Sequence, residues 1–210
     1  KFEDGSLYLA FSLSTLCFSF RNKNFKQTDQ IIVRRDDIKQ KNYDELVFAF
    51  PYISGELVIP RDIKQINSYA FFQNKFTDYV TFPNNSCIET ICDYSFSYCL
   101  LHKIIIPSSV SYLGESAFLD CPNLETVIIQ ENSKLLSILP YTFCRCHKLK
   151  EIKIPEKSIM KTIGNRFISE AGVADLYIPS SVEKLDENWC ATSNLQNITI
   201  GPNNKFFKTC

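Results

Sequence analysis

The sequence has few of the residues that most often carry chemistry: two histidines, six glycines, one methionine and one tryptophan among 210 residues. This scarcity leaves little for metal ligation or for a glycine-rich phosphate loop. Excess positive charge is also lacking, because 23 basic residues balance 23 acidic ones and the formal net charge is zero. A nucleic-acid partner is disfavoured, since binding a phosphate backbone requires such an excess. These absences predict a protein that is not an enzyme and holds no cofactor and no metal.

Long hydrophobic runs are absent as well. The most apolar stretch, from Leu7 to Phe20, is too short for a membrane-spanning helix, which needs about 20 residues. No membrane insertion is therefore predicted within this segment. Glu3 and Asp4 precede it, whereas a secretory leader carries basic residues there. The chain begins at Lys1 rather than at a methionine, and we expect it to be a piece of a longer protein.

The sequence is rich in hydrophobic residues, at 45%, and contains a pattern that returns seven times. Short segments that alternate apolar and variable residues recur at intervals of 22 to 25 residues, and five of the seven end in proline. Such alternation is typical of a β-strand with one buried face, and proline suits its end because it has no N–H to donate. The predicted strands are residues 56–60, 79–83, 103–107, 126–130, 151–155, 175–179 and 197–201.

An aliphatic residue, followed by an aromatic residue four or five positions later, recurs between these strands. Stacked repeats share one core, so these aromatic side chains are predicted to form a stacked spine. In the last two repeats the aromatic residue comes one position early, which indicates a residue missing before it. The predicted spine consists of Phe71, Phe96, Phe118, Phe143, Phe167 and Trp189.

Residues 1–55 are less regular. Apolar residues alternate from Leu7 to Leu13 and again, on the other parity, from Leu16 to Phe20, which predicts two strands separated by a turn or bulge. Ile31–Val33 is predicted as a further strand, and the apolar positions from Tyr43 to Phe50 also fit a short amphipathic helix. We divide the chain into a capping segment (1–30), a degenerate first repeat (31–55) and the repeat array (56–210), which we expect to continue beyond the sequence.

The segment VSYLGESAFLDCPNLETVII at residues 110–129, with IPSSV at residues 178–182, resembles the BspA-type leucine-rich repeat. This resemblance implies an α/β solenoid, a leucine-rich repeat horseshoe with a concave parallel β-sheet and short helical or irregular convex segments. Strands spaced about 4.7–4.9 Å apart, against about 8–10 Å for helical segments, would bend such a stack toward its sheet. The resemblance also implies a surface protein that bacteria or parasitic protists use for adhesion to host matrix proteins or to other cells.

The nine cysteines are an odd number, so at least one thiol has no partner within the chain. Cys99, Cys121 and Cys146 each follow a spine phenylalanine by three residues and are predicted to form a ladder of small buried thiols. Cys87 and Cys92 could pair with each other or with a neighbouring repeat, and the sequence leaves this open.

Two constellations could suggest chemistry at cysteine and histidine. Cys144, Cys146 and His147 are potential zinc ligands, but no fourth ligand lies nearby, and structural zinc requires four. A cysteine nucleophile would need a histidine base, whereas His102 and His147 both precede strands and are predicted to be solvated turn residues. A hydrolase or redox enzyme would therefore require thiols of lowered pKa at Cys144 and Cys146.

The other polar candidates also have simpler interpretations. Glu151 and Asp175 are carboxylates on neighbouring predicted strands, and ion pairs with Lys153 and Lys103 are favoured over a catalytic pair. The triplets that begin at Asn84 and Asn197 would accept glycans if the chain is secreted. Asn84 follows a strand end and is predicted to be exposed.

The outward face of the predicted sheet is unexpectedly apolar. Exposed apolar patches mark partner sites more often than chance, although the β-propensity of isoleucine and valine offers an alternative explanation. We predict a partner-binding concave face that consists of Val58, Tyr79, Thr81, Lys103, Ile105, Ile128, Lys153 and Tyr177.

These observations predict a non-catalytic interaction module that binds a protein or glycoconjugate partner through its concave sheet. With the family resemblance, they favour an adhesin-type protein at the cell surface or outside the cell. The alternative is an intracellular scaffold or structural protein of a larger assembly, for example a cytoskeletal one, because many cysteines are easier to keep reduced in the cytoplasm.

Overall fold

The computed structural model describes Leu16 and residues 22–35, 37–52, 54–75 and 77–207. These residues contain sixteen β-strands and no helix. The first three are β1 (Phe25–Gln27), β2 (Ile31–Arg34) and β3 (Glu45–Ala49), which pair in antiparallel order. From there on, longer strands alternate along the chain with strands of two residues.

The repeat array contributes thirteen strands, which form parallel sheets on two sides of a β-solenoid of about seven turns. They are β4 (Gly55–Val58), β5 (Gln65–Ile66), β6 (Thr77–Thr81), β7 (Thr90–Ile91), β8 (Lys103–Ile106), β9 (Tyr112–Leu113), β10 (Thr126–Ile129), β11 (Ser137–Ile138), β12 (Glu151–Lys153), β13 (Thr162–Ile163), β14 (Asp175–Ile178), β15 (Lys184–Leu185) and β16 (Asn197–Ile200).

The seven predicted repeat strands are confirmed by β4, β6, β8, β10, β12, β14 and β16, which we call the long strands. From β4 to β14 their inward side chains are aliphatic and lie in one continuous core; Leu57, Ile104 and Val127 are fully buried examples. In β16, the last of them, Ile198 is 40% exposed. Burying one such side chain contributes about 1.5–3 kcal/mol, and no single repeat could bury its own apolar face without neighbours.

Helical segments on the convex side, which the family resemblance implies, do not occur among the described residues. Two-residue strands occupy that side, and β3, β5, β7 and β9 pair there in parallel, as do β11, β13 and β15. The predicted bend toward the long strands requires helical segments on the opposite side, because helices are spaced more widely than strands. Because strands have the same spacing on both sides, that reason for a horseshoe does not apply.

The N-terminal expectations have mixed outcomes. β2 confirms the strand predicted at Ile31–Val33, whereas the amphipathic helix predicted from Tyr43 to Phe50 is wrong, because β3 occupies most of that segment. β3 pairs with β2 on one edge and with β5 on the other, which an isolated helix pattern could not reveal. The two strands predicted between Leu7 and Phe20 lie outside the described residues, Leu16 excepted. The boundaries at residues 30 and 55 stay predictions.

The predicted aromatic spine is present over four turns. The rings of Phe71, Phe96, Phe118 and Phe143 are fully buried and stack with successive centroid distances of 4.5, 5.0 and 5.4 Å. The interplanar angles of 19°, 2° and 19° make these near-parallel stacks, which add about 0.5–1.5 kcal/mol per pair beyond area burial.

The spine assignment is wrong for the last two turns. Residues two before and two after a spine position have positive φ, as Tyr94 (55°) and Tyr98 (62°) do around Phe96. The same pair in the next-to-last turn is Arg166 (51°) and Glu170 (57°), so the spine position there belongs to Ile168. By the same criterion, Asn188 (54°) places Cys190 in the spine of the last turn.

Phe167 and Trp189 therefore lie one residue before the spine, where earlier turns have small residues such as Ala70 and Ala117. Phe167 remains fully buried and its ring meets that of Phe143 edge to face, at 5.8 Å and 70°. No residue is missing before the spine. The spine-to-strand connection is instead one residue shorter after Phe96, Ile168 and Cys190 than after the other spine residues.

The predicted thiol ladder is confirmed. Cys99, Cys121 and Cys146 are buried, and each S–H donates to the carbonyl oxygen of the spine residue one turn earlier, at 2.7, 3.1 and 3.1 Å. Asn74 plays the same part in the first turn, where its amide donates to the carbonyl of Phe50 at 3.2 Å. The ladder therefore ties successive turns together, and burial raises the pKa of Cys99 and of Cys146.

We expect Cys121→Ala to lower the free energy of unfolding by about 1–3 kcal/mol, because it removes a buried donor to the Phe96 carbonyl. Chemical denaturation followed by circular dichroism measures this loss. Cys87→Ala is the control, since Cys87 is a half-buried free thiol outside the ladder, and its effect should stay within about 0.5 kcal/mol. Equal losses in both variants would contradict a stabilising role for the ladder.

Candidate interaction surface

The outward side chains of the long strands form one surface, which we call the long-strand face. Because successive residues of a strand point to opposite sides, residues next to buried Leu57, Val80 and Ile104 point outward. All eight residues predicted for partner binding lie on this face. Val58, Tyr79, Lys103, Ile105 and Lys153 are exposed, and Thr81, Ile128 and Tyr177 are half-buried.

The strand register brings several of these residues side by side. Ile105 pairs with Ile128, and Ile128 pairs in turn with Lys153. Val58 lies beside Thr81 in the same way. With exposed fractions of 57% for Val58, 47% for Tyr79 and 39% for Ile105, the middle of the face presents apolar surface that a monomer usually covers.

A groove of about 510 Å³ opens on this face between β6 and β8, and we call it the β6–β8 groove. Four predicted residues line it: Tyr79, Thr81, Lys103 and Ile105. The other lining residues were not predicted and come mostly from the ends of the strands and the turns that follow. They are Val80, Phe82, Pro83, Asn84, Ser86, Pro107, Ser108, Ser109 and Gln130.

The groove exists because β6 and β8 separate after their first paired residues. They pair only at Tyr79 and Lys103, whereas β8 and β10 pair over four positions. The connection from Phe96 to Lys103 is one residue shorter than the connection from Phe71 to Tyr79, and the two strands diverge after this first pair. Phe82 is only half-buried, although Ile106 at the matching position is fully buried.

A second groove, of about 530 Å³, lies between β12 and β14, and we call it the β12–β14 groove. The described residues of these two strands form no ladder. As at the first groove, the connection into the second strand is the shorter one: Ile168 to β14 is one residue shorter than Phe143 to β12. Lys153 and Tyr177 line it from opposite sides. Burial, with a smaller contribution from the Glu156 carboxylate, raises the pKa of Tyr177, whose hydroxyl is buried without a hydrogen-bond partner.

The carboxylates of the second groove are engaged by nearby polar groups. Glu151 pairs with Lys153, with 3.1 Å between carboxylate oxygen and ammonium nitrogen, which confirms the ion-pair interpretation. Asp175 instead accepts a hydrogen bond from the Asn197 amide at 2.6 Å. The expected pairing of Asp175 with Lys103 is wrong, because β10 and β12 lie between their strands.

The charge at the first groove is different. Of the lining residues that the structure describes, only Lys103 has a charged side chain. The carboxylate of Glu56, one strand away, accepts a hydrogen bond from the Thr81 hydroxyl at 2.9 Å. His102 lies behind the groove, with its ring centroid 5.9 Å from that of Tyr79 and its Nδ1 4.0 Å from an Asp78 carboxylate oxygen.

The thiols of Cys144 and Cys146 do not have the environment that a catalytic cysteine needs. Burial, with a smaller contribution from the Glu170 carboxylate, raises the pKa of Cys144 to about 11, whereas a nucleophilic thiol needs a lowered pKa. The thiol of Cys146 is used in the ladder, and His147 is exposed. Within the described ranges, no three histidine, cysteine or acidic side chains converge to hold a metal ion. Cys87 is a free thiol, so it does not pair with Cys92.

Both candidate glycosylation residues lie on or beside the long-strand face. Asn84 is exposed, as predicted, and lines the β6–β8 groove. Asn197 is exposed on β16, where its side chain donates to Asp175. A glycan at either residue would therefore restrict access to one end of this face. As for the bilayer, the described part of the chain has no helix able to cross it.

The repeat signal and the solenoid agree with comparisons to known proteins. A leucine-rich repeat protein of Eubacterium ventriosum is similar over 91% of this chain and 56% of its own, with 22% identity and a TM-score of 0.67. The pneumococcal vaccine antigen PcpA is similar over 86% of this chain and 65% of its own, with 15% identity and a TM-score of 0.57. At these identities the likeness shows the fold alone, and the chain spans less than two thirds of either protein.

No curated protein sequence matches the chain. The family model described as the BspA type leucine rich repeat region matches residues 46–137 and 132–210, in six copies. These ranges include the seven long strands and the spine, and together they cover well over half of the sequence. The chain belongs to the BspA-type leucine-rich repeat family.

Proposed function

We propose that this protein is a non-catalytic interaction module whose long-strand face binds a protein or glycoconjugate partner. The proposal is supported by the exposed apolar residues Val58, Tyr79 and Ile105 on neighbouring strands of that face, where Tyr79 and Ile105 line a groove of about 510 Å³. Buried apolar anchors surrounded by polar residues supply most of the binding energy at protein interfaces. A groove of this size is also within the about 300–1,000 Å³ typical of ligand sites.

The proposed location is the cell surface or the extracellular space, with an adhesin-type role. Its support is the similarity in fold to PcpA, which is described as a vaccine antigen. Asn84 and Asn197 are exposed, so glycans could attach if the chain passes through a glycosylating pathway.

The alternative is an intracellular scaffold within a larger assembly, which the free thiols favour. Cys99, Cys121 and Cys146 depend on reduced sulfur for their hydrogen bonds, and a reducing compartment maintains this state. The intact mass of the protein from its native source, after alkylation under denaturing, non-reducing conditions, separates the two locations. Glycans or paired cysteines would support the surface, whereas nine alkylated thiols and no glycan would support the interior.

The double change Ile105→Asp and Ile128→Asp tests the face itself. Two carboxylates placed on the apolar middle should weaken partner binding by about 100-fold or more, because charged groups cannot be buried there without a partner. The measurement is binding of the protein to an array of immobilised extracellular-matrix proteins and cell-surface glycans, followed by titration of whichever component it retains. Both side chains point outward, so the melting temperature should change little.

The matched control is the double change Leu136→Asp and Ile159→Asp, which adds the same charge at exposed apolar residues away from the long strands. This control should bind like the unmodified protein. Undiminished binding of the Ile105 and Ile128 variant would refute the proposed face, and loss in both variants would show that the effect of charge is not specific to it.

A further inference from the structure

The β6–β8 groove differs in charge from the β12–β14 groove. Among the described residues, its lining contains one lysine, Lys103, and no aspartate or glutamate. Lys103 takes part in none of the ion pairs found among the described residues. Lys153, which lines the other groove, is neutralised by Glu151 at 3.1 Å. Among the described residues, Lys103 therefore has no carboxylate in direct contact, whereas Lys153 has one.

The rest of the lining limits what could accompany an anion. Ile105 contributes aliphatic surface, and Tyr79 beside it is 47% exposed. An aliphatic or aromatic side chain would gain from burial against these two residues. The polar lining residues could hydrogen-bond the backbone N–H and C=O groups of an extended peptide; they are Thr81, Asn84, Ser86, Ser108, Ser109 and Gln130.

We propose that the β6–β8 groove is a subsite for an acidic peptide segment of a protein partner. An aliphatic or aromatic side chain of the segment lies against Ile105 and Tyr79, and a neighbouring aspartate or glutamate carboxylate pairs with the ammonium group of Lys103. This inference rests on the proposed function and narrows it, because it selects a protein over a glycoconjugate and an acidic sequence over a basic one.

Charge reversal tests the inference directly. The probes are two capped, fluorescently labelled hexapeptides, Gly-Glu-Leu-Phe-Glu-Gly and Gly-Lys-Leu-Phe-Lys-Gly, titrated with the whole chain at low ionic strength. We expect the acidic peptide to bind about tenfold more tightly than the basic one, which corresponds to one close charge pair. Lys103→Glu should invert this preference, and added salt should reduce it. A melting temperature equal to that of the unmodified protein establishes that the variant is folded.

The matched control is Lys148→Glu, which changes the same charge at an exposed lysine outside the long strands. It should leave the preference for the acidic peptide unchanged. Equal binding of both peptides, or a Lys103→Glu variant that still prefers the acidic one, would overturn the inference. Retention of an acidic oligosaccharide such as a hyaluronan hexasaccharide, with no binding of either peptide, would overturn it as well.

These outcomes are separable from failure of the proposed function. If the Ile105→Asp and Ile128→Asp variant loses an array partner while charge reversal at Lys103 has no effect, the face is an interaction surface and the acidic subsite is wrong. If that double variant keeps its partner in full, the proposed face itself is wrong.

Discussion

Phe118→Ala is expected to lower the free energy of unfolding by about 3–5 kcal/mol, the range for truncating a buried phenylalanine. The ring is fully buried and lies between those of Phe96 and Phe143, with centroids at 5.0 and 5.4 Å. Its removal leaves a cavity that touches three turns, and both ring stacks are lost with it. Because a solenoid is stabilised through contacts between neighbouring turns, the loss should extend beyond one repeat.

Chemical denaturation monitored by circular dichroism measures this effect. Phe206→Ala removes the same side chain from a position that is 57% exposed, and its free energy of unfolding should change by no more than about 0.5 kcal/mol. A broadened or two-step transition for Phe118→Ala would indicate that the turns on either side unfold separately. A loss no greater than that of the control would contradict the structural role assigned to the spine.

Insertion of one serine between Leu100 and Leu101 is expected to close the β6–β8 groove and to abolish acidic-peptide binding. The insertion makes the connection from Phe96 to β8 as long as the connection from Phe71 to β6. The two connections would then be equal in length, and we expect the pairing of β6 with β8 to extend beyond Tyr79 and Lys103 to Thr81 and Ile105. Additional ladder hydrogen bonds form where the groove was open, so stability should be maintained.

Two measurements check this expectation: titration with the acidic hexapeptide, and amide hydrogen exchange at residues 81 and 105, which should become slower. A serine inserted between Lys39 and Gln40, in an exposed turn of the N-terminal strands, is the control and should leave binding intact. A folded Leu100–Leu101 variant that binds the peptide as before would show that connection length does not control the groove.

The features predicted well from the sequence are those that appear as a local pattern within each repeat. The seven long strands follow from local alternation, and the stack from Phe71 to Phe143 and the thiol ladder follow from equal spacing within successive repeats. Outward exposure of Val58, Tyr79 and Ile105 needed only the two-residue period of a strand.

The features predicted wrongly are those for which the local sequence allows two arrangements and tertiary packing selects one of them. The convex segments are too short to show a helical or strand period, and they became strands because each pairs with at least one neighbouring turn. In the last two turns, large aromatic residues occupy the position one residue before the spine, so the sequence pattern placed the spine one residue too early. The positive φ angles at Arg166 and Glu170 show that the backbone of the next-to-last turn follows the same pattern as the earlier turns. The segment from Tyr43 to Phe50 became a strand because β2 and β5 offer partners on both edges.

The candidate site likewise contains residues that the sequence identified and residues that it did not. Tyr79, Lys103 and Ile105 were identified from the sequence, whereas Phe82 and Pro107 were not. A signal was present in the sequence, since Phe96 is ten residues from the matching strand position and Phe71 is eleven. Connection length alone did not reveal the groove, because β8 pairs with β10 over four positions although the connections before these two strands also differ by one residue.

By itself, the sequence determined the repeat, its period, the inward and outward faces of each long strand and membership of the BspA-type leucine-rich repeat family. These properties are local or periodic, and side-chain alternation is sufficient to specify them. Only the tertiary structure decided that both sides of the solenoid are sheets, that the long-strand sheet opens at two places, and that Lys103 lines a groove with no carboxylate among its described lining residues. Those properties arise from the register between turns, which depends on contacts between residues more than twenty positions apart.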